Sequence, residues 1–185
     1  MKALYDYGYK VKWNDFYIDR KEGYHTSVTG FHSHEFYEII FIFSGNTKIL
    51  LSDRTKETNS GCIVLTKPGT PHFIACLPDT LYSRVYLVIS PEFIADSVSE
   101  WNILSETFGK TGGIISFSNE QKDICKMILK RIESETNKLR QKLLILYLIS
   151  YVNEFAQSKK PGLILYLITS LTLSHISMVI IQKKL

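Results

Sequence analysis

Between residues 36 and 89 the chain runs as short segments rich in Val, Ile, Tyr and Phe, broken about every 8–12 residues by Gly, Asn, Asp or Pro. That punctuation constrains the fold more than any other feature. It predicts strands over residues 36–44, 47–52, 55–58, 62–66, 73–77 and 81–89, with turns at Gly45-Asn46, Asp53-Arg54 and Asn59-Ser60-Gly61. The run 36–44 is almost wholly apolar, as suits a strand covered on both faces. Strands at this spacing close into an antiparallel sandwich or barrel.

Near residue 118 the period becomes helical. Ser118 with Gln121 three positions on is a capping-box pair, and Ile124, Ile128 and Ile132 then recur every fourth residue beside Cys125 and Leu129. A second helix is expected from Asn137 to Gln157, apolar all round between Leu143 and Ile149, until Pro161-Gly162 closes the segment. Its residues Leu144, Leu148, Tyr151 and Phe155 form a stripe that could pack on the first helix, on the barrel or on a second copy of the chain. A helix apolar on every side has more surface than one neighbour covers, so a homodimer built on this stripe is expected.

A chain of 185 residues with 45% hydrophobic and 22% charged residues supports one sizeable core plus an appendage and excludes a disordered polymer. A net charge of +4 is too small and too dispersed to indicate nucleic-acid binding by electrostatics. The three cysteines, Cys62, Cys76 and Cys125, have neither disulfide nor zinc-knuckle spacing, and charges within the first residues leave no apolar core for a signal peptide. Reduced thiols and a cytoplasmic setting are therefore expected. Residues 163–181 form a 19-residue run without Asp, Glu, Lys or Arg, but its Ser, Thr and His interruptions favour a covered helix over a membrane span.

The residues that carry chemistry are His32, His34, Glu38 and His72. Imidazole and carboxylate together are the ligand set that suits divalent iron, manganese, nickel or zinc. His32 and His34 leave the same face of an extended strand, and Glu38 shares their parity. At about 3.3 Å per residue, however, Glu38 lies roughly 13 Å beyond His34 on a straight strand, so a common site requires a bend between Glu35 and Tyr37, and Pro68-Gly69 must turn His72 in from another strand.

The pattern His-x-His-x-x-x-Glu with Gly45, followed by Gly61 and Pro68-Gly69-x-x-His72, resembles the two motifs of the cupin superfamily, and so implies a double-stranded β-helix barrel. The wording around it, at residues 31–40, 61–72 and 82–94, is similar to the N-terminal effector-binding and dimerisation domain of AraC-type transcriptional regulators. That resemblance covers roughly residues 5–157. It implies a mainly β fold with α: a cupin-like sensor barrel over residues 1–117, a helical dimerisation segment over 118–158, and a short helical tail over 159–185. Family members continue into two helix-turn-helix units, whose opening residues 171–177 resemble. The DNA-binding domain is thus expected to be missing or truncated here, with DNA reached only through a full-length family member.

Two functions follow. In the first, the barrel senses a small-molecule effector, with His32, His34, Glu38, His72, Arg84 and Tyr86 as candidate pocket residues, no catalytic residue, and no cofactor required. In the second, His32, His34, Glu38 and His72 hold a divalent transition metal in a cupin enzyme, an oxygenase or isomerase. An enzyme also needs an acid, base or nucleophile beside its substrate, and strand alternation places none clearly inside. The sensor reading is therefore preferred, and with it a site that holds little metal.

Overall fold

The computed structural model describes residues 16–24, 30–51, 54–58, 61–77, 80–95, 108 and 113–157. Among the described residues, eight strands, β1 (Phe16–Gly23), β2 (Tyr37–Ser44), β3 (Thr47–Leu51), β4 (Arg54–Thr58), β5 (Cys62–Thr66), β6 (His72–Cys76), β7 (Tyr82–Ile89) and β8 (Ile114–Ile115), accompany three helices of five residues or more. The helices are α1 (Pro91–Ala95), α2 (Asn119–Ser134) and α3 (Lys138–Gln157). The strands form a five-stranded sheet in the order β1-β7-β2-β5-β8 and a three-stranded sheet in the order β4-β3-β6. Every pairing is antiparallel. The expected mainly β fold with following helices is what forms.

Strand alternation divides the interior into two cores. Ile39, Phe41 and Phe43 of β2, Ile63 and Leu65 of β5, and Val85, Leu87 and Ile89 of β7 pack with Cys125, Ile128, Leu129, Ile132, Ile145, Leu148, Ile149 and Val152 of α2 and α3. The intervening residues Ile40, Ile42, Cys62, Val64, Tyr82 and Tyr86 pack instead with Ile49, Ile74 and Cys76 of the three-stranded sheet. β2 is therefore apolar on both faces because it has a core on each side. Gly45 turns β2 into β3 with φ of 103°, and a β-carbon there would lie 3.0 Å from the Cα of Tyr82.

Three elements have weak sequence signals. The strand β1 reads FYIDRKEG, without apolar alternation, and exists because it pairs with β7 along its whole length. Arg20 on β1 also forms a forked pair with Glu133 of α2, at 3.3 and 3.1 Å. The short α1 is opened by Ser90, whose hydroxyl accepts from the Phe93 N–H at 3.2 Å, with Pro91 at its first position. β8 has two residues and takes its place through β5.

The helical hairpin follows the expected pattern. Ser118 and Gln121 make the reciprocal capping box at 3.2 and 2.8 Å. Between the helices the buried Glu135 carboxylate accepts from the Thr136 and Asn137 N–H groups, each at 3.0 Å, and meets Arg131 and Arg140 at 3.3 and 3.4 Å. The stripe on α3 faces inward. Leu148 is completely buried within a single chain, and Leu144, Tyr151 and Phe155 pack against the same core. Leu148 is thus closed to a partner; the exposed leucines of α3 are Leu139 and Leu143. No helix of the described residues is long and apolar enough to cross a membrane. Residues 159–185, with the apolar run and the helix-turn-helix-like opening, lie outside the described residues.

Candidate metal and effector site

The segment that carries His32 and His34 belongs to neither strand of its sequence neighbours. His32 donates its backbone N–H to the His72 carbonyl at 3.0 Å and accepts from the His72 N–H at 2.8 Å, an isolated bridge on the side of the three-stranded sheet. The Gly69 N–H then donates to the His34 carbonyl at 2.8 Å, while the Thr70 N–H closes a turn onto the Lys67 carbonyl at 3.0 Å. Gly69 sits in that turn with φ of 76°. The chain bends at Glu35-Phe36 and crosses to β2 in the other sheet. This is the bend that a common site requires, and it folds Glu38 back onto the histidines.

The four side chains converge. Glu38 Oε2 lies 3.2 Å from His34 Nε2 and 3.2 Å from His72 Nε2. One ring nitrogen from each of His32, His34 and His72 lies within 4.8 Å of the others. Glu38 and His72 are buried, whereas His32 and His34 keep some solvent contact, so the cluster lies at an opening of the two-sheet structure.

Each imidazole is fixed by its own backbone. His32 Nδ1 lies 2.7 Å from the Gly30 carbonyl, His34 Nδ1 3.1 Å from that of Phe36, and His72 Nδ1 2.9 Å from that of Thr70. A carbonyl oxygen only accepts, so Nδ1 carries the proton in all three rings and a neutral ring presents a lone pair at Nε2. His34 Nε2 is within hydrogen-bond reach of Glu38 Oε2 at 3.2 Å, whereas His72 Nε2, buried at the same distance from that oxygen, makes no hydrogen bond. Lone pairs and a carboxylate at 3.2 Å repel unless a positive charge sits among them. The charge is either a proton or a cation.

The electrostatics of the ligand-free site reflect that demand. Burial acts to raise the Glu38 pKa, but the contacts with His34 and His72 overcome it and hold the carboxyl at about 2. For His72, burial acts to lower the pKa and the Glu38 carboxylate reverses it, leaving the group raised. His32 is lowered, chiefly by burial. Thr66, directly across from Glu38 on β5, has a buried hydroxyl without a hydrogen bond and was not marked by any sequence motif.

Arg84 and Tyr86 lie apart from this cluster. In the β2–β7 register Glu38 stands opposite Val88, Ile40 opposite Tyr86 and Ile42 opposite Arg84. They share the inward parity of Glu38 but sit further along the interior. The six candidate pocket residues thus divide into a His/Glu group at one end and an Arg/Tyr group deeper along β7. Tyr82 belongs with the second group; its inward parity with Arg84 and Tyr86 was the available signal.

The model of the AraC-like ligand binding domain matches residues 18–148, most of the chain and all eight strands except the start of β1. The chain belongs to this family. Among solved structures, the AraC-like transcriptional activator CuxR is 13% identical, the alignment covering 70% of this chain and 45% of CuxR with a TM-score of 0.49. ToxT from Vibrio cholerae is 15% identical over 80% of this chain and 60% of its own, with a TM-score of 0.47. A Cupin 2 conserved barrel domain protein from Salinispora arenicola is 17% identical over 44% of this chain and 68% of its own, with a TM-score of 0.38. The alignments therefore take in about half of each regulator. No curated protein sequence matches the chain.

Proposed function

We propose that this chain is the effector-sensing part of a cytoplasmic transcriptional regulator: it binds a small molecule between its two sheets and performs no chemistry on it. The family match over residues 18–148 carries this reading. Strand alternation supports a route for the signal. β2, β5 and β7 present one set of side chains to the interior and the alternate set to α2 and α3, so a ligand that displaces Ile40 or Tyr86 also loads Ile39, Phe41 and Leu87 against the helices. The helices α2 and α3 would pass that bias to a second copy of the chain and, in a full-length regulator, to its DNA-binding part. Three free, buried cysteines accord with a reducing compartment. Thermal-shift screening of the full chain against sugars, organic acids and aromatic metabolites tests the reading. A sensor gains stability with one compound class and leaves the compound chemically unchanged; turnover of the stabilising compound would instead establish an enzyme.

A second reading concerns the cluster itself and rests on the three Nδ1–carbonyl contacts. The donor set fits a divalent transition cation: His32, His34 and His72 would supply Nε2, Glu38 a carboxylate oxygen, and the unpartnered His72 Nε2 is the atom that such an ion would satisfy. A bound ion would supply a fixed positive charge and an electrophilic centre for an oxygen-bearing ligand. The backbone carbonyls hold the rings in orientation whether or not an ion is present. Elemental analysis of the purified chain, with thermal shifts on adding zinc, nickel or manganese, tests the fit. On this second reading one equivalent of metal binds and is lost in His34→Ala; no metal and no shift would leave the cluster as polar lining of a sensor.

A further inference from the structure

Arg84 is the one strongly charged side chain placed in the interior by β7, and only 2% of its surface is exposed. Its Nε is buried with no hydrogen-bond partner, and no carboxylate of the described residues forms an ion pair with it. The guanidinium carbon lies 3.8 Å from the Tyr86 ring centre and 5.5 Å from that of Tyr82, so aromatic faces take the place of a counter-ion. The Tyr82 hydroxyl is buried beside the guanidinium. Around them stand Ile40, Ile42, Ile49, Val64 and Ile74. Glu38, on the same face of β2, is four residues from the Arg84 partner Ile42, roughly 13 Å along the strand, and is engaged by His34 and His72.

A guanidinium buried among isoleucines is costly unless something negative meets it, and tyrosine rings compensate only in part. We propose that Arg84, with the Tyr82 hydroxyl beside it, is the anchor for the carboxylate of an organic acid whose apolar body lies against Ile40, Ile42 and Val64. This rests on the sensing function proposed above and adds the chemical class of the effector. Charge balance selects the class: one guanidinium matches one carboxylate, whereas a phosphate carries up to two negative charges and Arg84 is the one lysine or arginine that is buried among the described residues. With Tyr86 covering one face of the guanidinium, its N–H edges remain for the planar fork of a carboxylate. Tyr82 adds a neutral donor to the same group.

The 185-residue chain is tested by isothermal titration and thermal shift with octanoate and benzoate, against octanamide, benzamide and inorganic phosphate. The acids are expected to bind at least tenfold more tightly than their amides, and phosphate not at all. Arg84→Met should reduce acid binding at least tenfold; Arg84→Lys should retain part of it. Because an uncompensated charge is removed, Arg84→Met should also leave the ligand-free melting temperature unchanged or raised, a readout that needs no ligand. A clear fall in that temperature would mean that Arg84 has a structural counter-charge and would overturn the proposal. Amides that bind as tightly as acids, or acid binding unchanged by Arg84→Met, would overturn the anchor while leaving the sensing function standing. Phosphate bound in preference to both acids would overturn the carboxylate class.

Discussion

The histidines differ from ordinary core imidazoles in one respect: each has its Nδ1 occupied by a carbonyl within two residues of itself. Local backbone therefore orients the rings, and the tertiary fold brings the oriented nitrogens together. The pH dependence of the ligand-free protein should reveal the coupling to Glu38. A carboxyl held at about 2 against an ordinary 4.5 contributes stability that is complete above 4.5 and is lost as pH falls toward 2. His72, raised above 6.5, contributes stability that is complete below 6.5 and is lost as pH rises through its raised value. Denaturant unfolding of the wild type and Glu38→Gln should differ most at about pH 5–6 and converge on both sides. A difference constant from pH 3 to 9 would separate Glu38 from the histidines. Metal runs the other way: protons compete for Nε2, so zinc affinity should rise from pH 6 to pH 8 and be at least tenfold weaker in Glu38→Gln, as isothermal titration would record.

At the scale of elements, α3 is a buried strut whose inward face completes a core with the five-stranded sheet. Leu148 is fully enclosed while Leu143 is more than half exposed, only five residues away. Leu148→Ala should therefore cost about 2–5 kcal/mol in equilibrium unfolding, whereas Leu143→Ala should stay within about 0.5 kcal/mol. Equal effects would mean that the helix is rotated from the orientation described. Ser118→Ala removes an acceptor from the first turn of α2 and should cost about 1 kcal/mol, with Ser118→Asp restoring it.

For the whole molecule, the proposed homodimer must use what the single chain leaves open. Leu139 and Leu143 offer exposed apolar surface on α3, and Met127 does so on α2. Light scattering of the wild type at tens of micromolar should give twice the chain mass, and the double variant Leu139→Glu with Leu143→Glu should give a folded monomer with an unchanged circular dichroism spectrum. A wild-type monomer at that concentration would exclude self-association through this face. Leu148→Glu cannot serve in the same test, since it places a charge in the core.

What the sequence determined by itself was whatever short-range chemistry encodes. Turn residues marked strands β2 to β7 within a residue or two, capping and four-residue periodicity marked α2 and α3, and the motif spacing marked His32, His34, Glu38 and His72 as a cluster. Strand β1 and the two-residue β8 were not legible, because each is held by pairing with a distant strand and has little pattern of its own. The bend at Glu35-Phe36 could be required by distance but not located, since it depends on bridges from His32 and His34 to residues 69 and 72. The same limit applied to α3. An all-round apolar helix states that it will be covered, and only packing against β2, β5 and β7 decided that Leu148 is covered by its own chain. Arg84 was visible as a charge on a strand; that it lies inward, stacked on Tyr86 and without a carboxylate, followed from the β2–β7 register that set its face. Local chemistry chose the elements and the residues of the His/Glu cluster, and long-range pairing chose which faces meet, because a strand or helix specifies its own periodicity but not its neighbour.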